Sequence, residues 1–129
     1  MSETLIMYGS HHTERAVGRT TVVELRGDID ILTAPPLGAR LDDLTAALRP
    51  DLVLDLRAVS FIDCSGLRVL CRARNRIMER YGRLRLITDS DRFLRVLRAA
   101  GLSGVFEMYD RLPEALAALP GTGLSASAS

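Results

Sequence analysis

The chain has 129 residues and a mass of 14.1 kDa, the size of a single domain. With 47% hydrophobic and 26% charged residues it can bury a core, which excludes wholesale disorder, and no run nears the ~20 apolar residues of a membrane helix. The 17 basic and 16 acidic residues leave a formal net charge of +1, against a globally basic nucleic-acid binder; every basic residue is arginine, which excludes a Gly-Lys-Ser/Thr phosphate loop and chemistry that needs a lysine.

Residues 1–20 are weakly patterned. They lack the basic start and apolar run of a secretory signal, so a cytoplasmic protein is expected. Leu5–Tyr8 reads as a short strand and the polar stretch to Arg19 as a loop or a second edge piece. Thr21–Arg26 is β-branched and partly alternating, a strand, and Gly27-Asp28-Ile29-Asp30 follows as an acidic, turn-prone segment. Thr33 before Ala34-Pro35-Pro36 suits an N-cap with proline in the first turn. Leu37, Leu41, Leu44 and Leu48 then recur at helical spacing, and the helix is expected to end near Arg49-Pro50. Asp51–Leu56 reads as a strand buried on both faces.

After the segment Arg57–Asp63, a helix begins near Ser65, with Leu67, Leu70, Cys71, Arg74, Ile77 and Met78 along one face and Gly82 as its stop. Arg83–Thr88 is a strand. Asp89 or Ser90 caps a short helix carrying Phe93, Leu94, Val96 and Leu97, which ends at Gly101. Val105–Met108 is a brief strand, Leu112–Leu119 a last helix, and the small polar tail after it is expected to be disordered. Strands alternating with helices after Asp30 predict one α/β domain over residues 1–119, with a mixed, mostly parallel sheet and about four helices. The N-terminal strands are expected to join antiparallel at one edge.

Cys64 and Cys71 on one helix stand about 10.5 Å apart along its axis, beyond disulfide reach, and His11 and His12 are distant in sequence. Two reduced, largely buried thiols are expected.

The segment Val59–Leu70 lies between a buried strand and a helix, where α/β sheets present binding groups. Ser65 at the helix start reads either as an N-cap, worth about 1 kcal/mol, or as a phosphorylation site whose phosphate the helix N-terminus tolerates. Gly66 leaves room beside the hydroxyl for a kinase, and Asp63 adds negative charge. Asp28 and Asp30 are either solvated turn residues, Asp30 capping locally, or an acidic patch with Asp63 that meets a partner's arginines.

Phe61-Ile62-Asp63-Cys64-Ser65-Gly66-Leu67 resembles the Asp-Ser-Ser-Gly-Leu signature of the STAS-domain anti-sigma-factor antagonists of bacteria. Gly27-Asp28-Ile29-Asp30 is similar to that family's Gly-Glu-Leu-Asp turn, and Ala100-Gly101-Leu102 with Val105-Phe106 to its Thr/Ala-Gly-Leu…Phe segment. The resemblance covers roughly residues 20–119. It implies a STAS-like fold and a module that binds an anti-sigma factor serine kinase, releasing a sigma factor. The kinase would phosphorylate Ser65 to end the complex, and a serine phosphatase would restore it. Asp28, Asp30, Asp63, Gly66, Leu67 and Arg68 are then the expected partner surface. No cofactor is implied for this chain, since any nucleotide belongs to the kinase; no metal, membrane or direct nucleic-acid contact is expected. Two departures stand out: Cys64 replaces the first serine of the usual pair, and Asp28 shortens the usual glutamate.

Other readings are weaker. An acidic trio with Mg2+, as in receiver domains, wants a lysine that is absent. Catalysis by Ser65 or Cys64 wants a base, and no Gly-x-Ser-x-Gly elbow exists. Arg68, Arg72, Arg76 and Arg80 form a stripe that reads as a solvated helix face or, alternatively, as the surface of a nucleic-acid-binding domain that takes RNA or DNA phosphates; with 5% aromatics, base stacking is poorly supported. Arg74 snorkels at the apolar margin. A scaffold of the same fold, with Ser65 unmodified, is the remaining alternative.

Overall fold

The computed structural model describes residues 6–8 and 12–117, with side chains from His12 onward. Ten elements follow one another: β1 (Ile6–Tyr8), β2 (His12–Val17), β3 (Thr20–Ile29), α1 (Ala34–Leu44), β4 (Asp51–Ile62), α2 (Cys64–Glu79), β5 (Arg83–Ile87), α3 (Asp91–Ala99), β6 (Glu107–Tyr109) and α4 (Leu112–Ala117). The six strands lie side by side in chain order. The β1–β2 and β2–β3 pairs are antiparallel; β3 through β6 are parallel. The mixed, mostly parallel α/β sheet with an antiparallel edge is the expected one. The tail and His11 lie outside the described residues.

The period of two along a strand divides the core. Val23, Leu25, Leu54, Leu56, Leu84 and Leu86 face α1, α2 and α3 through Leu37, Leu41, Leu70, Ile77, Phe93 and Leu97. Val22, Val53 and Ile87 face the other way, onto Ala115 of α4. Residues 52–56 of β4 are therefore buried on both sides, as expected.

Several boundaries differ from the sequence expectation, each for a tertiary reason. β3 and β4 run on to Ile29 and Ile62, through segments expected as turn and connection. Pairing survives there because two register shifts, between Glu24 and Arg26 and between Gly27 and Asp28, absorb extra residues of β4. β2 is a strand although it is polar. Its Glu14 is buried and takes a bidentate pair from Arg40 of α1, at 2.7 and 3.0 Å, so a distant guanidinium replaces the missing apolar side chain.

Helix α1 stops at Leu44, and Leu48 is exposed. Its final carbonyls are taken by side chains: the buried Thr45 hydroxyl donates to Leu41 O at 2.8 Å, and Arg76 donates to Asp42 O at 3.0 Å. Thr33 makes no side-chain cap. Helix α2 ends at Glu79, and Met78 is exposed. The turn after it is a Schellman motif, Gly82 N donating to Ile77 O and Tyr81 N to Met78 O, with Tyr81 rather than Gly82 in the left-handed region at φ 59°. Gly82 serves close approach instead: a Cβ there would stand 2.2 Å from Pro50 O. Both cysteines are free thiols, but Cys64 is exposed and Cys71 half-buried. Cys71 still packs against the core, whereas Cys64 in the first turn of the helix faces solvent.

Candidate functional site

The site forms where β3 and β4 end and α2 begins. Ile29 sits opposite Ile62 and Asp28 opposite Phe61, and Asp63 N donates to Ile29 O at 3.2 Å. The chain then turns into α2. Asp63 is its N-cap, in extended conformation, and one carboxylate oxygen accepts from Ser65 N at 2.8 Å and Gly66 N at 3.1 Å.

That assignment overturns the reading of Ser65 as the cap. Ser65 is the second helical residue and half-buried, and its hydroxyl has no hydrogen-bond partner among the described residues. With the cap supplied by Asp63, the hydroxyl has no structural duty there.

Gly66 is buried against Ile29, where a Cβ would lie 2.8 Å from Ile29 O and 2.5 Å from Ile62 Cγ1. Leu67 is 8% exposed and belongs to the core. These two residues were expected on the partner surface; they face inward and seat the helix instead. Arg68 is exposed, one turn beyond Ser65.

Asp28 is exposed. Asp30 caps its own turn: its carboxylate accepts from Leu32 N at 3.0 Å and Thr33 N at 3.2 Å. Those backbone donors, Thr33 first, hold Asp30 below the usual carboxylate range. The Thr33 hydroxyl accepts from Asp30 N and donates to Asp28 O at 2.8 Å, which ties both acids into one rigid corner. Among the described residues no cluster of His, Cys, Asp or Glu could hold a metal ion.

Sequence reasoning missed the apolar component. Ile31, Leu32 and Phe61 are 72%, 81% and 51% exposed at this end of the sheet. The signal was available, in that Ile31-Leu32 lies between Asp30 and Thr33 in a segment that reads as a turn. Three large apolar side chains beside exposed acids are unusual for a solvated loop.

The arginine stripe is not a free face. Arg72 pairs bidentately with Asp42 of α1 at 2.9 and 3.0 Å, and Arg76 bonds Thr45 Oγ1 and Asp42 O. The hydrogen bond from Arg72 draws Asp42 below the usual carboxylate range. The stripe mainly seams α2 to α1. Arg74 does reach the margin, donating to Val105 O at 2.9 Å. His12 is buried in β2, 3.4 Å from Glu14, and burial lowers its proton affinity despite that carboxylate.

The STAS domain family matches residues 13–115, and the chain belongs to that family. It is 34% identical over 82 residues to an anti-sigma-B factor antagonist of Listeria monocytogenes, covering 64% of this chain and 72% of the relative. It is 31% identical over 86 residues to an anti-sigma-B factor antagonist of Bacillus subtilis, covering 67% of this chain and 78% of that one. In three dimensions it is similar to an anti-sigma factor antagonist from Mycobacterium paratuberculosis, with a TM-score of 0.71, 28% identity, and 89% and 92% of the two chains covered. Among the described residues no helix is long and apolar enough to cross a membrane.

Proposed function

We propose that this chain is an anti-sigma-factor antagonist that binds an anti-sigma factor serine kinase in the cytoplasm and frees a sigma factor, and that phosphorylation of Ser65 ends the complex. The names of its relatives support the first half. One observation carries the second: Asp63, not Ser65, caps α2, so the Ser65 hydroxyl can be modified without removing the helix's cap. A phosphate there adds about −1.5 to −2 charge at a helix N-terminus, which tolerates it. The domain stays folded while its surface, already carrying Asp28, Asp30 and Asp63, becomes repulsive to an acidic or apolar partner face.

The docking surface is then Ile31, Leu32 and Phe61 as the apolar centre, with Asp28, Asp30, Asp63 and Arg68 as the charged rim. Gly66 and Leu67 contribute by holding α2 against Ile29. A serine phosphatase completes the cycle by restoring the hydroxyl.

The test is binding to the kinase partner with ATP present. Ser65→Ala retains wild-type affinity and resists release, gaining no mass on incubation, whereas Ser65→Asp binds at least tenfold more weakly, the order expected when one charge is set against a docked face. If both variants bind and release as wild type does, the switch is wrong and the domain is a scaffold.

A further inference from the structure

At the end of the sheet opposite Ser65, the starts of β4, β5 and β6 open onto a cleft of about 650 Å3, within the range of small-molecule sites. Four arginines, Arg49, Arg74, Arg83 and Arg85, line it together with two carboxylates, Asp51 and Glu107. The carboxylates are committed. Glu107 accepts from Arg83 and from the Tyr109 hydroxyl, and Asp51 accepts from Arg85 and from the Thr20 hydroxyl at 2.9 Å. Arg74 donates its Nε to Val105 O at 2.9 Å, and neither Arg74 nor Arg49 has a carboxylate partner among the described residues. Two positive charges are therefore left over at one cleft.

The floor holds a further unmet group. Arg85 is 2% exposed; its terminal nitrogens bond Ala115 O and Asp51, yet its buried Nε has no hydrogen-bond partner among the described residues. A buried donor without a partner costs about 1–3 kcal/mol and in a native protein calls for an explanation.

The rim is apolar and held in place. Met78 and Tyr81 line it while 56% and 80% exposed. Arg49 and Tyr81, the only described non-glycine residues with positive φ, at 57° and 59°, both line it. Such conformations cost of order 1 kcal/mol each and persist only where the surroundings impose them. Here Arg49 N donates to Arg80 O and Arg83 N to Pro50 O, both at 2.8 Å, and Gly82 lies flat on Pro50. The cleft is thus preformed.

We propose that this cleft binds a small amphipathic organic anion, an apolar or aromatic body bearing one carboxylate, sulfonate or phosphate. The head group lies between the Arg74 and Arg49 guanidiniums and the body against Tyr81 and Met78. The site is independent of the Ser65 reading and stands if that reading fails.

The probe is 8-anilinonaphthalene-1-sulfonate, titrated by fluorescence, with neutral N-phenyl-1-naphthylamine as control and backbone amide shifts to locate the dye. Binding is saturable and one-to-one, with shifts at residues 49, 81, 82 and 105. Arg74→Met and Arg49→Asn each weaken it about tenfold, as loss of a charge-assisted contact requires, and the neutral dye binds tenfold more weakly. Ser65→Ala leaves the dye affinity unchanged. Arg49 is exposed and asparagine tolerates positive φ, so Arg49→Asn keeps its fold and remains decisive even if Arg74→Met does not. Non-saturable binding, equal affinity for the neutral dye, indifference to Arg49→Asn, or shifts confined to the Ser65 end overturns the proposal.

Discussion

At one end of the parallel sheet, Asp30 and Asp63 give carboxylate oxygens to backbone N–H groups; at the other, Asp51 and Glu107 give theirs to guanidiniums. Both arrangements satisfy the acids, but they leave different surfaces. A backbone N–H carries no net charge, so the first end keeps its negative charge and presents it beside Ile31, Leu32 and Phe61. The second end cancels its acids internally and is left with surplus arginine. Local caps thus leave an acidic surface beside exposed apolar side chains, and long-range ion pairs leave a cleft with surplus arginine.

The comparison is broken most severely at two tightly packed glycines, the buried Gly66 and the half-buried Gly82. Gly82→Ala drives a Cβ into Pro50 O, which the Arg83 N–H holds in place, and is expected to cost about 3 kcal/mol or more in urea unfolding. Gly66→Ala meets Ile29 O and the Ile62 side chain, and part of its strain is offset by a helix-propensity gain of about 1 kcal/mol, so a loss of about 2 kcal/mol is expected. The two differ in function: Gly66→Ala also weakens partner binding, while folded Gly82→Ala binds the partner normally. Equal effects of both on partner affinity would erase the distinction between the ends.

Asp63 separates cap from charge. Asp63→Ala loses the cap of α2 and about 1 kcal/mol, whereas Asp63→Asn keeps the cap and loses only the charge, with stability near wild type. Partner affinity falling in Asp63→Asn at unchanged melting temperature supports a charged rim; unchanged affinity removes Asp63 from it.

The smallest effect is on acid stability. Burial pushes Glu107 upward, but the Arg83 hydrogen bond and the Tyr109 hydroxyl prevail and hold it below its ordinary value. A carboxylate depressed in the folded state lends stability that is present above its unfolded value and lost as pH falls through the lower, folded value. Glu107→Gln is therefore less stable at neutral pH and shows a shallower decline below the ordinary carboxylate range, read from urea midpoints across acid pH. An unchanged slope would mean that Arg83 and Tyr109 do not hold the Glu107 carboxyl below its ordinary value.

Much of the architecture was legible. The apolar runs Val22–Leu25 and Leu52–Leu56 and the periodic Leu67, Leu70 and Ile77 are local patterns, and each forms the strand or helix that its period demands. The motif around Ser65 and the acids at 28 and 30 were legible because turn chemistry is written in adjacent residues. Which group of a pair does which job was not. Asp63 and Ser65 are both good caps, and only the geometry of the turn out of β4 decides between them. Polar β2, the early end of α1 and the seam of Arg72 and Arg76 depend on partners roughly 26–34 residues away, so no window of sequence contains both halves of the interaction.

By itself, then, the sequence determined the order and type of the elements, the family signature and the position of Ser65 at the start of a helix, because periodicity, turn residues and caps act over a few neighbours. The tertiary structure alone decided that Gly66 and Leu67 face inward, that Ile31, Leu32 and Phe61 face outward, and that four arginines meet at one cleft. Burial and charge compensation are properties of what arrives from elsewhere in the chain, and only the packed sheet brings those groups together.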